Sequence, residues 1–239
     1  MDNIPDKFID CIITDLPYGS TRCNWDSIIP FEPMWNQCNR IIKDNGAIIL
    51  FGSEPFTSKL ICSNIKNFKY NWIWQKNKAT GFLNAKIQPL NDNETISVFY
   101  KKQCTYNPQM TKAKKIYKRG LVIRDANEDI QQSDCYGDQK SYLQVDNGLR
   151  YPKRIQYFNN NFTRKQLHPT QKPVELIEYL IKTYTNEGEK ILDFCAGSMT
   201  TGVAAINTGR KCICIENNEE IFNIGKNRIM ECVKEINSI

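Results

Sequence analysis

The chain has 239 residues, 41% hydrophobic and 24% charged, which excludes a disordered or collagen-like polymer and suits one globular domain with room for an elaboration. A formal net charge of +6 permits a polyanionic partner without requiring one, and a single histidine excludes most His-ligated metal sites and His relays. Ten cysteines contain no C-x-x-C pair, so a zinc ribbon or a thioredoxin-type motif is not expected, and they read as reduced thiols of a cytoplasmic protein.

The N-terminal run Met1-Asp2-Asn3-Ile4-Pro5-Asp6 lacks the pattern of a secretory leader. Residues 8–14 read as a buried strand, broken by Asp15-Leu16-Pro17-Tyr18-Gly19. Residues 33–44 bring Met34, Trp35, Cys38, Ile41 and Ile42 onto one helical face that stops at Asn45-Gly46. Residues 47–52 read as a second buried strand, and Phe56, Leu60, Ile61 and Ile65 as a short helix. Residues 70–75 and 95–100 are aromatic and β-branched, as strands are.

Residues 103–165 differ. Apolar periodicity fades, and the stretch carries the excess of positive charge, with twelve Lys and Arg against six Asp and Glu. The basic residues are densest at Lys112, Lys114, Lys115, Lys118 and Arg119, with Lys153 and Arg154 later, and tyrosines and phenylalanines lie among them. A solvated surface is the ordinary reading of such a run; a nucleic-acid face is the sharper one.

Strands and helices then alternate. Pro173 suits a first helical turn before Leu176, Ile177, Leu180, Ile181 and Tyr184. Residues 190–194 form an expected strand, 198–207 a helix, 211–215 a strand, and Ile221, Ile224, Ile229, Val233 and Ile236 mark a last amphipathic helix. The pattern predicts an α/β fold with a mostly parallel sheet covered on both faces.

Two strand ends carry chemistry. The turn Asp193-Phe194-Cys195-Ala196-Gly197-Ser198 leads from a strand into a helix, and Glu216, 23 positions after Asp193, ends the next strand. Such a unit lets a nucleoside approach backbone, and its acid can accept ribose hydroxyls. It is not G-x-G-x-x-G, and Asp193 would repel a pyrophosphate but suit a cationic ligand. Asp15-Leu16-Pro17-Tyr18 follows the first buried strand. An exocyclic amino group of a base is a poor nucleophile because its lone pair is delocalised into the ring. The Asp15 carboxylate and the Leu16 carbonyl can accept its two N–H bonds and free that lone pair, while Tyr18 can stack on a base held outside a duplex.

These segments, with His168-Pro169-Thr170-Gln171-Lys172-Pro173 between them, resemble the DNA N-4/N-6 amino-methyltransferase family in its β, or permuted, arrangement: catalytic tetrapeptide first, target-recognition region next, cofactor loop last. The resemblance implies a Rossmann-like three-layer sandwich built from 1–102 and 166–239, with 103–165 as an inserted target-recognition region. It implies S-adenosylmethionine as methyl donor, a flipped-out base in double-stranded DNA as target, and no metal. By position, Asp15, Leu16, Pro17 and Tyr18 match the catalytic motif, with Asp15 also beside the cofactor. His168, Thr170, Gln171, Lys172, Asp193, Cys195, Ala196, Gly197, Ser198, Thr200 and Glu216 match the cofactor segments. Glu94 resembles an acid ahead of a late strand, with a structural or base-side role. The family is often dimeric, so a second copy of the chain, and an associated restriction endonuclease, are candidate partners in a bacterial or phage-encoded system of the cytoplasm.

The chain departs from the pattern in three places. Leu16 stands where a proline is usual; Phe194, Cys195 and Met199 replace residues of the cofactor loop, and Met199 puts a side chain where glycine backbone approaches the ligand; and the usual G-D segment would precede Ile4. Asp at position 15 leans toward adenine N6. Cytosine N4, a non-catalytic DNA-binding relative, and an RNA or protein methyltransferase remain alternatives. A cytosine C5 enzyme would need an activated Cys, and the chain has no Pro-Cys.

Overall fold

The computed structural model describes residues 1–19, 26–114, 147–160 and 171–237. They form two compact units, Met1–Asn107 with Lys153–Ile239, and Pro108–Pro152.

The larger unit is built on a seven-stranded sheet. In chain order its elements are β1 (Ile9–Asp15), α1 (Phe31–Ile41), β2 (Ile42–Gly52), α2 (Phe56–Ser63), β3 (Phe68–Thr80) and β4 (Asn91–Phe99). After β5 (Thr111–Lys112) and β6 (Leu149–Arg150) of the smaller unit come β7 (Ile155–Tyr157), α3 (Val174–Tyr184), β8 (Lys190–Asp193), α4 (Thr200–Asn207), β9 (Lys211–Cys214) and α5 (Glu219–Asn237). The strand order is β7-β3-β4-β2-β1-β8-β9, and β4 is the strand of this sheet that runs antiparallel to both its neighbours. This is the Rossmann-like architecture of methyltransferases, with an inserted region.

Alternation along the strands creates the layers. Cys11 and Ile13 of β1 and Ala47, Ile49 and Phe51 of β2 face α3 and α4; Ile12, Ile48 and Leu50 face α1 and α2. Both faces are buried, which explains the near-continuous apolar runs. Tyr184 ties α3 to β3, since its hydroxyl receives the Trp72 indole N–H at 2.6 Å and lies 2.9 Å from that of Tyr70.

The inserted unit is narrower than 103–165. Residues 155–157 pair in parallel with β3 as β7, and Asn107 donates its N–H to the Thr183 carbonyl, so both flanks belong to the larger unit. Within the smaller unit, β5 and β6 pair antiparallel. Pro173 is the residue before α3 rather than its first turn. The β3–β4 hairpin extends further than its apolar pattern does, to Thr80 and Asn91, because backbone pairing continues where the side chains are exposed. Among the described residues no helix is long and apolar enough to cross a membrane.

Candidate active site

β1 has neighbours that leave it in opposite directions, β2 on one side and β8 on the other, and at such a point a parallel sheet opens a crevice beyond its carboxyl ends. A cavity of about 550 Å³ lies there. One wall is 15–18 with Trp74, Lys76 and Glu94 of the β3–β4 hairpin; the other is 193–198 and 215–218.

Asp15 is the last residue of β1. Its Oδ1 accepts the Tyr18 hydroxyl at 2.6 Å, which folds the tetrapeptide back on itself, and its Oδ2 meets Lys172 Nζ at 2.5 Å. Lys172 also stands 3.2 Å from Glu94 Oε2, and Lys76 Nζ lies 2.6 Å from Glu94 Oε1. Burial pushes the Asp15 carboxyl above its ordinary value, partly offset by the Lys172 ammonium. Burial also disfavours the charges of Glu94 and Lys172, but their opposite partners outweigh it: Glu94 is held below, and Lys172 above, the usual value. Leu16 buries its side chain in the layer of α1 and α2, and the Tyr18 ring packs on Phe56 with centroids 5.1 Å apart. Leucine in place of proline thus adds core contact and leaves the turn intact through Pro17.

On the other wall, Asp193 ends β8. Its oxygens accept the hydroxyls of Thr14 at 2.8 Å and Thr201 at 2.6 Å, and Oδ1 also accepts the Cys195 N–H. Burial pushes Asp193 up to about 6 and the Cys195 thiol up to about 12. The Ala196 N–H donates to the Ile215 carbonyl at 3.0 Å, and the Gly197 N–H donates to Glu216 Oε2 at 2.8 Å, so loop and acid are locked together. Gly197 has φ +51°, and a Cβ there would meet nothing within 4 Å: backbone is laid open to the cavity. Gln171 Oε1 receives the Ser198 hydroxyl at 3.4 Å, and Arg228 from α5 donates to the Ser198 carbonyl and the Thr200 hydroxyl.

Met199 does not obstruct this wall. It is 5% exposed and its Cγ lies 2.6 Å from where a Cβ on Gly225 of α5 would stand, so the side chain packs beneath the loop. Lys172, matched to the cofactor segment, is paired with Asp15 and Glu94. His168 and Thr170 lie outside the described residues, as do Lys115, Lys118 and Arg119. Lys112 and Lys114 are exposed on the smaller unit; Lys153 and Arg154 are exposed ahead of β7. The sequence reading missed Thr14, Lys76, Thr201 and Arg228. Thr14, buried after the apolar run Cys11-Ile12-Ile13, carried a faint signal as a polar residue in a core strand; the others gave none.

The sequence profile of the DNA methylase family matches residues 9–227. DNA adenine methyltransferase YhdJ of Escherichia coli (strain K12) is 30% identical over 247 residues, an alignment covering 96% of this chain and 79% of that protein. Type II methyltransferase M1.MboII of Moraxella bovis is 28% identical, with 93% and 90% covered. The crystal structure of the M1.HpyAVI–SAM complex superposes with a TM-score of 0.61 at 25% identity, covering 95% of this chain and 90% of that one. The cytosine-N4-specific PvuII DNA methyltransferase shares the fold at 17% identity, TM-score 0.59, with 96% and 88% covered. A match running from β1 into α5, over a cavity walled by the two expected loops, makes this chain a member of the DNA methylase family.

Proposed function

We propose that the chain methylates N6 of adenine in duplex DNA, with S-adenosylmethionine as donor, and that it belongs to the permuted group of its family. The observation that carries the reading is the Asp15 carboxylate at the cavity floor, braced by Lys172 and Tyr18. The adenine assignment is supported by Asp at position 15 and by the likeness to a DNA adenine methyltransferase.

The residues of the second wall fit the donor. Gly197 offers open backbone, Glu216 keeps lone pairs beyond those used by Gly197 and Asn218, and Phe194, Ile215 and Ile221 supply apolar wall. Glu216 would accept ribose hydroxyls, while Asp15 and Asp193 suit a cationic ligand. When bound, S-adenosylmethionine supplies an electrophilic methyl group. Asp15 and the Leu16 carbonyl would accept the two N–H bonds of the target amine, turning its lone pair out of conjugation. Tyr18 would stack on the base, and Pro17 keeps the turn stiff. The gain comes from positioning, with no covalent nucleophile required. Met199 lies off the cavity wall, which removes a ground for reading the chain as a non-catalytic relative. The basic region at 103–165 would supply target recognition.

The test is transfer of labelled methyl to unmethylated duplex DNA, followed by nucleoside analysis. N6-methyladenine is expected, and Asp15→Ala should lower the rate by on the order of 10²-fold or more. N4-methylcytosine would move the assignment to the other branch, and label in RNA but not DNA would overturn it.

A further inference from the structure

Lys172 lies just before α3 and, by motif position, belongs beside the donor. Its ammonium points instead to Asp15 Oδ2 at 2.5 Å and Glu94 Oε2 at 3.2 Å, and only 9% of the side chain is exposed. Lys76, 8% exposed, sits 2.6 Å from Glu94 Oε1. Two cations and two carboxylates therefore alternate in one line: Lys76 from β3, Glu94 from β4, Lys172 before α3, and Asp15 at the end of β1. Burying any one of these charges alone is costly, and alternation is what makes the four tolerable. Cation–π contacts extend the line at both lysines, Lys76 over Trp74 and Lys172 over Phe51, each 5.2 Å from the ring centroid.

We infer that Lys172 is a positioning residue for Asp15, held in turn by Glu94 and Lys76, and not a donor-binding residue. With Oδ2 fixed on Lys172, the carboxylate plane is set. Oδ1 accepts the Tyr18 hydroxyl and, at the edge of the cavity that Asp15 lines, keeps a second lone pair that could accept one N–H of the target. A carboxylate can accept that N–H, whereas a protonated carboxyl turned toward it would donate, so the ammonium also keeps the chemistry available near neutral pH. The titratable groups around Asp15 are Tyr18 on its own turn, Lys172 before α3, Glu94 and Lys76 on the hairpin, and Asp193 and Cys195 across the cavity, with Asp26 acting on Tyr18. Lys172 and Lys76 are the cations of this set. This role rests on the methyltransferase reading for its catalytic consequence, but the electrostatic link can be measured without transfer.

The experiment compares wild type, Lys172→Met, Lys172→Arg and Glu94→Gln by carboxyl-carbon NMR titration of Asp15, by calorimetry with S-adenosylmethionine, and by the pH dependence of kcat. Lys172→Met should move the Asp15 midpoint up by about one pH unit or more. Glu94→Gln, which removes a neighbouring anion, should move it down. The acid limb of kcat should follow both shifts. Lys172→Met should lower kcat by on the order of 10²-fold, leave donor affinity within about twofold as expected for a group whose ionic partners are Asp15 and Glu94 rather than the donor, and be rescued largely by Lys172→Arg. A loss of tenfold or more in donor affinity with the Asp15 midpoint unmoved would return Lys172 to the donor site. Should Lys172→Met fail to fold, the downward shift in Glu94→Gln decides, and an unmoved midpoint there overturns the inference. Wild type that titrates as described yet transfers no methyl to DNA would count against the proposed function, leaving the charge line intact.

Discussion

Asp193 shows how much a strand-end carboxylate can be committed to structure. Three protein donors converge on it, from β1, its own loop and α4, yet burial dominates and its carboxyl is pushed up to about 6 from an ordinary 3.8. The folded protein therefore holds this proton where the unfolded chain has released it, so the contribution is fully present below pH 4 and is lost as pH rises through about 6. Wild type should lose up to about 3 kcal/mol between pH 4 and 7 relative to Asp193→Asn, measured by denaturant unfolding of both. Equal pH slopes would show that Asp193 ionises alike in both states. Asp15, Gly197 and Glu216 were legible in the sequence because each ends a strand or opens a turn within a local motif. Lys76 and Arg228 were not, and Thr14 only faintly, since their roles depend on which elements lie side by side. Thr14 meets a carboxylate 179 positions away.

Among the elements, α3 is both core helix and support for the Asp15 wall of the cavity. Its amino end follows Lys172, and its carboxyl end is tied to β3 through Tyr184, on which the Trp72 indole and the Tyr70 hydroxyl converge. Tyr184→Phe leaves a buried indole N–H without its acceptor, and should destabilise the fold by about 1–3 kcal/mol in urea unfolding; a change within error would mean that water or a shifted partner replaces the hydroxyl. The apolar periods of α3 and β1 read directly as elements because both faces of the sheet are covered. The reach of β3 and β4 beyond their apolar centres, and the pairing of β7, could not be read: backbone hydrogen bonds hold those residues, and side-chain pattern is silent about them. Hence the insert looked longer from composition than it is in space.

For the molecule as a whole, the excess positive charge lies in 103–165, and its proposed role in target recognition makes a prediction about salt. Phosphate contacts release counterions, so affinity should fall steeply with salt. Neutralising Lys112, Lys114 and Lys115 together should flatten the plot of log affinity against log salt by up to about 3, one contact each; an unchanged slope in a binding titration would place the main phosphate contacts elsewhere.

The packing of Met199 against Gly225 has a consequence for how this chain tolerates change. A residue other than glycine in the left-handed conformation (φ +59° at Met199) costs roughly 1 kcal/mol, and burying that side chain beneath the loop requires that α5 carry no Cβ at 225. The two positions, 26 apart in the chain, express a single steric decision. A scan of single substitutions would score Gly225 as rigidly required, whereas much of the requirement belongs to the pair: with glycine at 199, alanine at 225 loses its two nearest opponents and meets only the Gly197 carbonyl oxygen, at 3.2 Å. Energies at these sites are therefore coupled rather than additive, and drift at one is licensed only by the state of the other.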